Sequence, residues 1–162
     1  MPLEHATMRA SIVAALVFAT PVALAQHAGA KGAKSSSAEG DARTIVSLPE
    51  PMRQHMLANM RDHLSSLQAI TAALSTGAYD KAADLAESRL GLTSLDAHGA
   101  AHLAPYLPKA MQAIGTQMHR AASRFAVATQ DASVGNDLRP AVAALGSVME
   151  QCVACHAAYR VR

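Results

Sequence analysis

The sequence predicts an all-α fold, an antiparallel bundle of four helices. Apolar residues recur at intervals of three to four along most of the chain after residue 48, which is the spacing of one helix face. Proline and glycine mark the beginnings and ends of several of these stretches. No segment combines strict apolar–polar alternation with turn residues, so no strand is expected. Helices of this length joined by short connections favour antiparallel packing.

The first two helices are defined by their boundaries. The first is expected to begin near Pro49 and Pro51 and to end before Gly77, because proline is favoured in the first turn of a helix and glycine just beyond its end. Its predicted inward residues are Met52, Met56, Leu57, Met60, Leu64, Leu67, Ile70 or Thr71, and Leu74. A second, shorter helix is expected from Tyr79 to about Leu90, ending at Gly91.

The following connection, residues 94–108, contains Gly99, Pro105 and Pro108, which favour a short helix and a turn. A third long helix is then expected from about Lys109 to Thr129, with His119 half-exposed on it.

The fourth helix is predicted at the C-terminal end of the chain. Asn136 or Asp137 is expected to cap it, with Pro140 in its first turn. Its expected inward positions are Val142, Leu145, Val148 or Met149, Cys152, Cys155, His156 and Tyr159.

The N-terminal residues predict export. Arg9 precedes a short apolar run at residues 12–19, and Ala23-Leu24-Ala25 is a small-residue cleavage site, so residues 1–25 are expected to be a signal peptide. The run is too short to span a bilayer, and no stable membrane insertion is expected after cleavage. Residues 26–43 are rich in Ala, Gly, Ser and Lys and are expected to form a flexible linker before a domain at 44–162. These features predict a periplasmic protein.

Composition argues against several classes of function. The formal net charge is +2 and no Arg/Lys stripe is present, so a nucleic-acid partner is not expected. The sequence shows no nucleophile elbow, phosphate-binding glycine loop or paired-carboxylate spacing. The chain is therefore not predicted to be an enzyme.

One motif carries specific chemistry. Cys152-Val-Ala-Cys155-His156 contains the only two cysteines of the chain, and C-x-x-C-H is the attachment motif of c-type haem. On a helix these three side chains share one face. A redox dithiol of the thioredoxin type would instead open a helix in a βαβ unit, and a zinc site would need additional ligands. The motif therefore predicts one covalently attached haem c.

A helical chain of this length with C-x-x-C-H beside its C-terminus resembles the class II cytochromes c, the cytochrome c′ family. The Tyr159-Arg160 pair after the motif also fits the family pattern. The resemblance implies an up-down four-helix bundle, often a homodimer. It implies thioether attachment at Cys152 and Cys155, proximal ligation of the iron by His156, and a place for Arg160 near the proximal side.

The family divides according to the sixth iron position, which the first helix supplies. A methionine there implies a low-spin electron carrier, and a non-ligand such as leucine implies a five-coordinate, gas-binding cytochrome c′. The usual separation from Gly77 points to Met60, with Met56 as the fallback, whereas alignment from Arg53-Gln54 points to Leu57.

Several histidines offer alternatives. His98 and His102 are four residues apart and would share a face if they lay on one helix, although Gly99 and Pro105 argue against that helix. His55 or His63 on the first helix could replace methionine as the distal ligand.

The sequence thus predicts a periplasmic monohaem cytochrome that carries single electrons between redox partner proteins. The alternative is a cytochrome c′ that binds NO or CO. A haem-free protein that binds metal through Met and His residues is the third hypothesis.

Overall fold

The computed structural model describes residues 40–162 and is predominantly helical, as predicted. Its elements are β1 (Thr44–Val46), α1 (Glu50–Ser75), α2 (Tyr79–Leu90), α3 (Ala100–Leu103), α4 (Lys109–Gly135), α5 (Arg139–Ala158) and β2 (Tyr159–Val161). The predicted signal peptide and the predicted linker up to residue 39 lie outside the described residues.

The boundaries of α1 and α2 confirm the sequence prediction. Pro49 immediately precedes α1, and the chain turns at Gly77, which has a φ of +72°. Glycine adopts this left-handed conformation without the steric cost that a Cβ imposes. Helix α2 begins two residues later, and Gly91 follows its last residue.

The predicted junction between the last two long helices is wrong by several residues. Helix α4 continues past Thr129 to Gly135, and Asn136, with a φ of +55°, is its C-terminal cap. Asparagine tolerates the left-handed conformation that often ends a helix. Helix α5 therefore begins at Arg139, after Leu138. Asp137 lies outside the helix, where its carboxylate accepts the backbone N–H of Arg139 at 3.0 Å.

A small parallel sheet also departs from the sequence prediction, which contained no strand. Strand β1 pairs with β2, with Thr44 opposite Tyr159 and Val46 opposite Val161. The pairing continues through the backbone N–H of Leu48, which donates to the Arg162 carbonyl at 3.2 Å. Three-residue strands are too short to show a periodic pattern, so only their β-branched and aromatic residues could have indicated them.

The helices pack in chain order: α1 contacts α2, α2 contacts α4, and α4 contacts α5. In the described part of the chain, α1 and α5 do not make a comparable contact with each other. The largest fully buried side chains of this packing are Phe125, Ile70, Leu90 and Val148. Val46, Leu48, Met56, Leu103 and Met111 form a second cluster beside the sheet, the strand-end cluster.

Some predicted inward positions are exposed. On α5, the exposed fractions of Val142 and Met149 are 54% and 52%, while Ala141 and Val148 are buried. The prediction is therefore wrong at Val142. Val148, the predicted alternative to Met149, is buried, and Leu145 and Cys152 pack against the buried core as predicted. On α1, Leu64 is 70% exposed.

Helix α5 is also apolar along its length. Among residues 40–162, it is the one helix long and apolar enough to cross a membrane, with a mean hydropathy of 1.3 over 18 residues. Length and composition alone are weak support for a membrane span, because helices in the core of soluble proteins share them.

Replacing Phe125 by alanine tests the packing between α2, α4 and α5. The ring is 1% exposed in the core that α1, α2, α4 and α5 share. Phe125→Ala should therefore lower the free energy of unfolding by about 3–5 kcal/mol. The matched control is Val134→Ala on the same helix. Val134 is 89% exposed, and its replacement should change stability by no more than about 0.5 kcal/mol. Urea denaturation followed by circular dichroism measures both, and equal losses would contradict the described packing.

Candidate cofactor site

A cavity of about 750 Å³ is lined by α1, the connection around α3, α4, the end of α5 and β2. Its walls are mainly Met, Leu, Ile and Ala side chains, with a few polar groups. Cavities of 300–1,000 Å³ with apolar walls and few polar groups are typical of small-molecule and cofactor sites. We refer to this space as the cavity.

All three residues of the C-x-x-C-H motif line the cavity from the last turns of α5. Cys152 and Cys155 are partly buried and are not joined in a disulfide. The thiol of Cys152 donates to the Val148 carbonyl within the helix at 3.6 Å. The predicted attachment residues are therefore brought to one wall of one cavity.

The environment of the two thiols is not that of a redox dithiol. Burial raises the pKa of Cys152 above its ordinary value, and burial together with the nearby Cys152 raises the pKa of Cys155. Reactive dithiols need the opposite shift, which a helix N-terminus or a cation provides. Here the thiols lie at the C-terminal end of α5 and remain protonated at neutral pH.

Two arginines lie beside the motif. Arg160 lines the cavity and forms an ion pair with Asp41 at 3.5 Å. Arg43 also lines the cavity, and its Nη1 donates to the His156 carbonyl at 3.4 Å. Arg43 holds the pKa of Asp41 well below its usual range by hydrogen bonding, so this carboxylate stays charged. Asp41 and Arg43 fall within the linker predicted from the sequence, and no sequence signal connects them with the site.

The candidate distal residues of α1 also line the cavity, namely Met56, Leu57 and Met60. Met56 is 7% exposed and belongs to the strand-end cluster. Met60 is partly buried and packs against that cluster. Its side chain is therefore less buried than that of Met56.

Three histidines meet on another part of the cavity wall: His63 of α1, His98 before α3 and His119 of α4. The ring centroids are 4.7 Å apart for His63 and His98, 5.4 Å for His98 and His119, and 6.0 Å for His63 and His119. We call these three residues the histidine cluster. The sequence predicts a half-exposed His119, but the residue is buried.

The predicted pairing of His98 with His102 is not formed. Gly99, with a φ of +60°, ends the turn that carries His98, and α3 begins only at Ala100. His98 is buried, whereas His102 is exposed. The His98 carbonyl accepts hydrogen bonds from His55 Nε2 at 2.8 Å and Asn59 Nδ2 at 2.9 Å. These bonds fix the loop to α1. The side chain of His55 is engaged in this contact and does not line the cavity, so it is not placed to be a distal ligand.

Hydrogen bonds orient two rings of the histidine cluster. His119 Nδ1 donates to the Leu90 carbonyl at 2.8 Å. Ser94 Oγ donates its own proton to the Gly91 carbonyl at 2.7 Å and therefore accepts from His98 Nδ1 at 3.3 Å. The third ring is different: His63 Nε2 is buried and has no hydrogen-bond partner.

The cluster is uncharged at neutral pH. Burial lowers the pKa of His63 to about 4, with the neighbouring His98 and His119 contributing in the same direction. Burial also lowers the pKa of His98 and of His119 below the ordinary value of 6.5. The same cause acts on all three rings, because placing a charged imidazolium in this wall would remove it from water.

Within residues 40–162, the side chains as they stand form no group of three or more His, Cys, Asp or Glu that could hold a metal ion. No protein-family model, curated protein or solved structure matches the chain.

The histidine cluster should make the protein less stable in acid. Below its ordinary pKa, each histidine takes up a proton when unfolded but resists one when folded, so stability is complete above pH 6.5 and falls toward pH 4. His63 alone would account for a loss on the order of 3 kcal/mol across this window.

Denaturant titrations at a series of pH values measure this loss. His63→Gln should flatten the slope between pH 6.5 and pH 4, while His102→Gln, at an exposed position, should leave it unchanged. A His63→Gln slope equal to that of the unmodified protein would contradict the argument.

Proposed function

We propose that the protein is a periplasmic monohaem cytochrome c that carries single electrons. Cys152 and Cys155 would hold the haem through thioether bonds, and His156 would be the proximal iron ligand. The observation that carries the proposal is that these three side chains line one apolar cavity of about 750 Å³. Met60 and Met56 line the same cavity from α1.

The residues present fit a covalently held haem. Both cysteines are free thiols with a raised pKa. Each S–H can add across a vinyl C=C bond, giving sulfur to one carbon and hydrogen to its neighbour, so that attachment consumes no oxidant. Cavity walls rich in Met and Leu would cover an apolar ring. Arg43 and Arg160 would offer positive charge to its carboxylates.

The arrangement of helices supports a class II cytochrome c bundle. We infer that α1, α2, α4 and α5 are its four helices, because each packs against the next in chain order. Strand β1 leads into α1 and β2 leads out of α5, and the two strands are paired. The pairing places the start of α1 beside the end of α5, as an antiparallel arrangement requires. The cavity would then occupy the seam where α1 and α5 do not close on each other.

The protein's own groups would tune and protect a bound haem. The haem supplies a one-electron iron couple, whose potential depends on axial ligands, burial and neighbouring charge. His156 would bind the iron through a lone pair on a ring nitrogen. The Met and Leu side chains of α1 and α4 would exclude water from the haem. Arg43 would hold the end of α5 through the His156 carbonyl.

We propose Met60 as the distal ligand. It lines the cavity and is only partly buried, so reorienting its thioether would disturb less packing than reorienting that of the buried Met56. Met56 is the fallback, although its buried side chain contributes to that cluster. The second candidate function, gas binding by a five-coordinate iron, is favoured by Leu57, which lines the cavity on the same helix.

Removal of the thiols tests the attachment. Cys152→Ser and Cys155→Ser should each leave at most one thioether bond, and the double variant should leave none. Haem staining after denaturing electrophoresis, with the pyridine haemochrome spectrum, measures the covalent haem in protein expressed with a haem-attachment system. Covalent haem in the double variant, or none in the unmodified protein, would overturn the proposal.

Replacement of Met60 separates the two candidate functions. If Met60 ligates the iron, Met60→Ala should convert the ferric EPR spectrum from low spin to high spin and should lower the reduction potential. The matched control is Met52→Ala, because Met52 lies on the same helix but does not line the cavity.

Met56→Ala tests the fallback in the same experiment. An unmodified protein that is entirely high-spin and binds CO readily when reduced would contradict methionine ligation and support the gas-binding cytochrome c′.

The proposed electron-carrier function implies redox proteins as partners. An electron carrier meets its donors and acceptors in small, transient encounters, so we infer periplasmic redox proteins as partners. The periplasmic location depends on the signal peptide predicted at residues 1–25.

A further inference from the structure

We propose that the histidine cluster is a second metal site, which binds one divalent ion of the zinc class through His63, His98 and His119. Asp62 is the carboxylate nearest to this site. The proposal is independent of haem attachment, since none of its ligands belongs to the C-x-x-C-H motif.

The spacing of the three rings fits a shared ion. Zinc–nitrogen bonds are about 2.0–2.1 Å long, which places ring centres about 3.2 Å from the metal and about 5 Å from one another in a tetrahedral site. The observed centroid separations of 4.7, 5.4 and 6.0 Å bracket that value. The three rings come from α1, from the loop before α3 and from α4. As they stand, the three side chains do not converge on an ion. Binding therefore requires one ring to reorient, and that ring is His63, whose Nε2 has no hydrogen-bond partner.

The hydrogen bonds leave the correct nitrogens free. His119 gives its Nδ1 proton to Leu90, and His98 gives its Nδ1 proton to Ser94, so each neutral ring carries its lone pair on Nε2. Ligating histidines ordinarily donate their other ring N–H in this way, which fixes the tautomer and the ring orientation. His63 Nε2 is buried with no partner of its own. An unpartnered polar atom in a buried wall is costly, and a metal ion would satisfy it.

Asp62 adds negative charge beside the cluster. Its Oδ2 lies 3.9 Å from His98 Nε2, and its Oδ1 is paired with Arg89. The carboxylate is thus already directed toward the ring nitrogen that would bind the ion. Three imidazoles with one carboxylate or water complete a tetrahedral set that suits zinc.

The lowered pKa of each ring supports this use. A protonated imidazole cannot ligate, and burial keeps all three neutral at neutral pH.

Isothermal titration of the purified holoprotein with ZnCl₂ near neutral pH tests the proposal. We expect one Zn²⁺ per chain, and a rise in the thermal unfolding temperature when zinc is present. His98→Gln and His119→Gln should each weaken binding by at least about 100-fold, since loss of an outer-shell partner alone costs about 10–100-fold. Ser94→Ala, which removes only the hydrogen-bond partner of His98, should weaken zinc binding by about 10–100-fold. His102→Gln, an exposed histidine of the same connection, should bind as the unmodified protein does.

X-ray absorption at the zinc edge provides a readout that needs no variant. We expect three nitrogen neighbours and one oxygen at about 2.0–2.2 Å. Absence of zinc binding, or binding that survives both His98→Gln and His119→Gln, would overturn the proposal. Sulfur neighbours would overturn it as well, because they would place zinc on Cys152 and Cys155. Haem content is measured on the same sample. A sample that carries covalent haem but binds no zinc contradicts only the zinc site, whereas a sample without haem contradicts the proposed cytochrome function.

Discussion

The pairing of β1 with β2 is the constraint on which the rest of the site depends. It ties the residues before α1 to the residues after α5, although the two segments are more than a hundred residues apart in the chain. Packing against α4 holds most of α5 in place. The last turns of α5, which carry the cysteines, are held by additional contacts. The sheet, the hydrogen bond from Arg43 to the His156 carbonyl and the Asp41–Arg160 ion pair provide these contacts.

This anchoring explains why α1 and α5 can border a cavity without closing it. Two helices with apolar faces would ordinarily pack together, because burial of apolar surface is favourable. Here their ends are held by the sheet while their facing residues line the cavity. An apolar cofactor bound between them would cover the surface that the helices leave uncovered. In the proposed cytochrome the thiols would hold the cofactor and would not need a disulfide, and their raised pKa agrees with that role.

The sequence predicts the helical elements well because helix boundaries depend on local signals. Pro49, Gly77 and Gly91 marked their boundaries correctly, and C-x-x-C-H indicated which end of α5 lines the cavity. Asn136 was assigned to the wrong helix because asparagine is favoured at both helix ends, and only the backbone conformation distinguishes them.

The parts that sequence analysis missed are long-range. The strands are too short for periodicity, and Arg43 acquires its role only through a contact 113 residues away. The histidine cluster joins residues from three elements, whereas the sequence suggested the local pair His98 and His102. A signal for His119 existed, because it follows Met118 on the inner side of α4, but burial of two adjacent residues cannot be deduced from helix periodicity alone.

The central claim is that the cavity holds a haem attached to Cys152 and Cys155. Peptide mass spectrometry of the full-length gene product, expressed with a haem-attachment system and digested with trypsin, tests it most directly. The account predicts that the peptide containing both cysteines carries the mass of one haem, with neither thiol available to alkylating reagents. Recovery of that peptide with two free thiols, or with a disulfide between them, would contradict it.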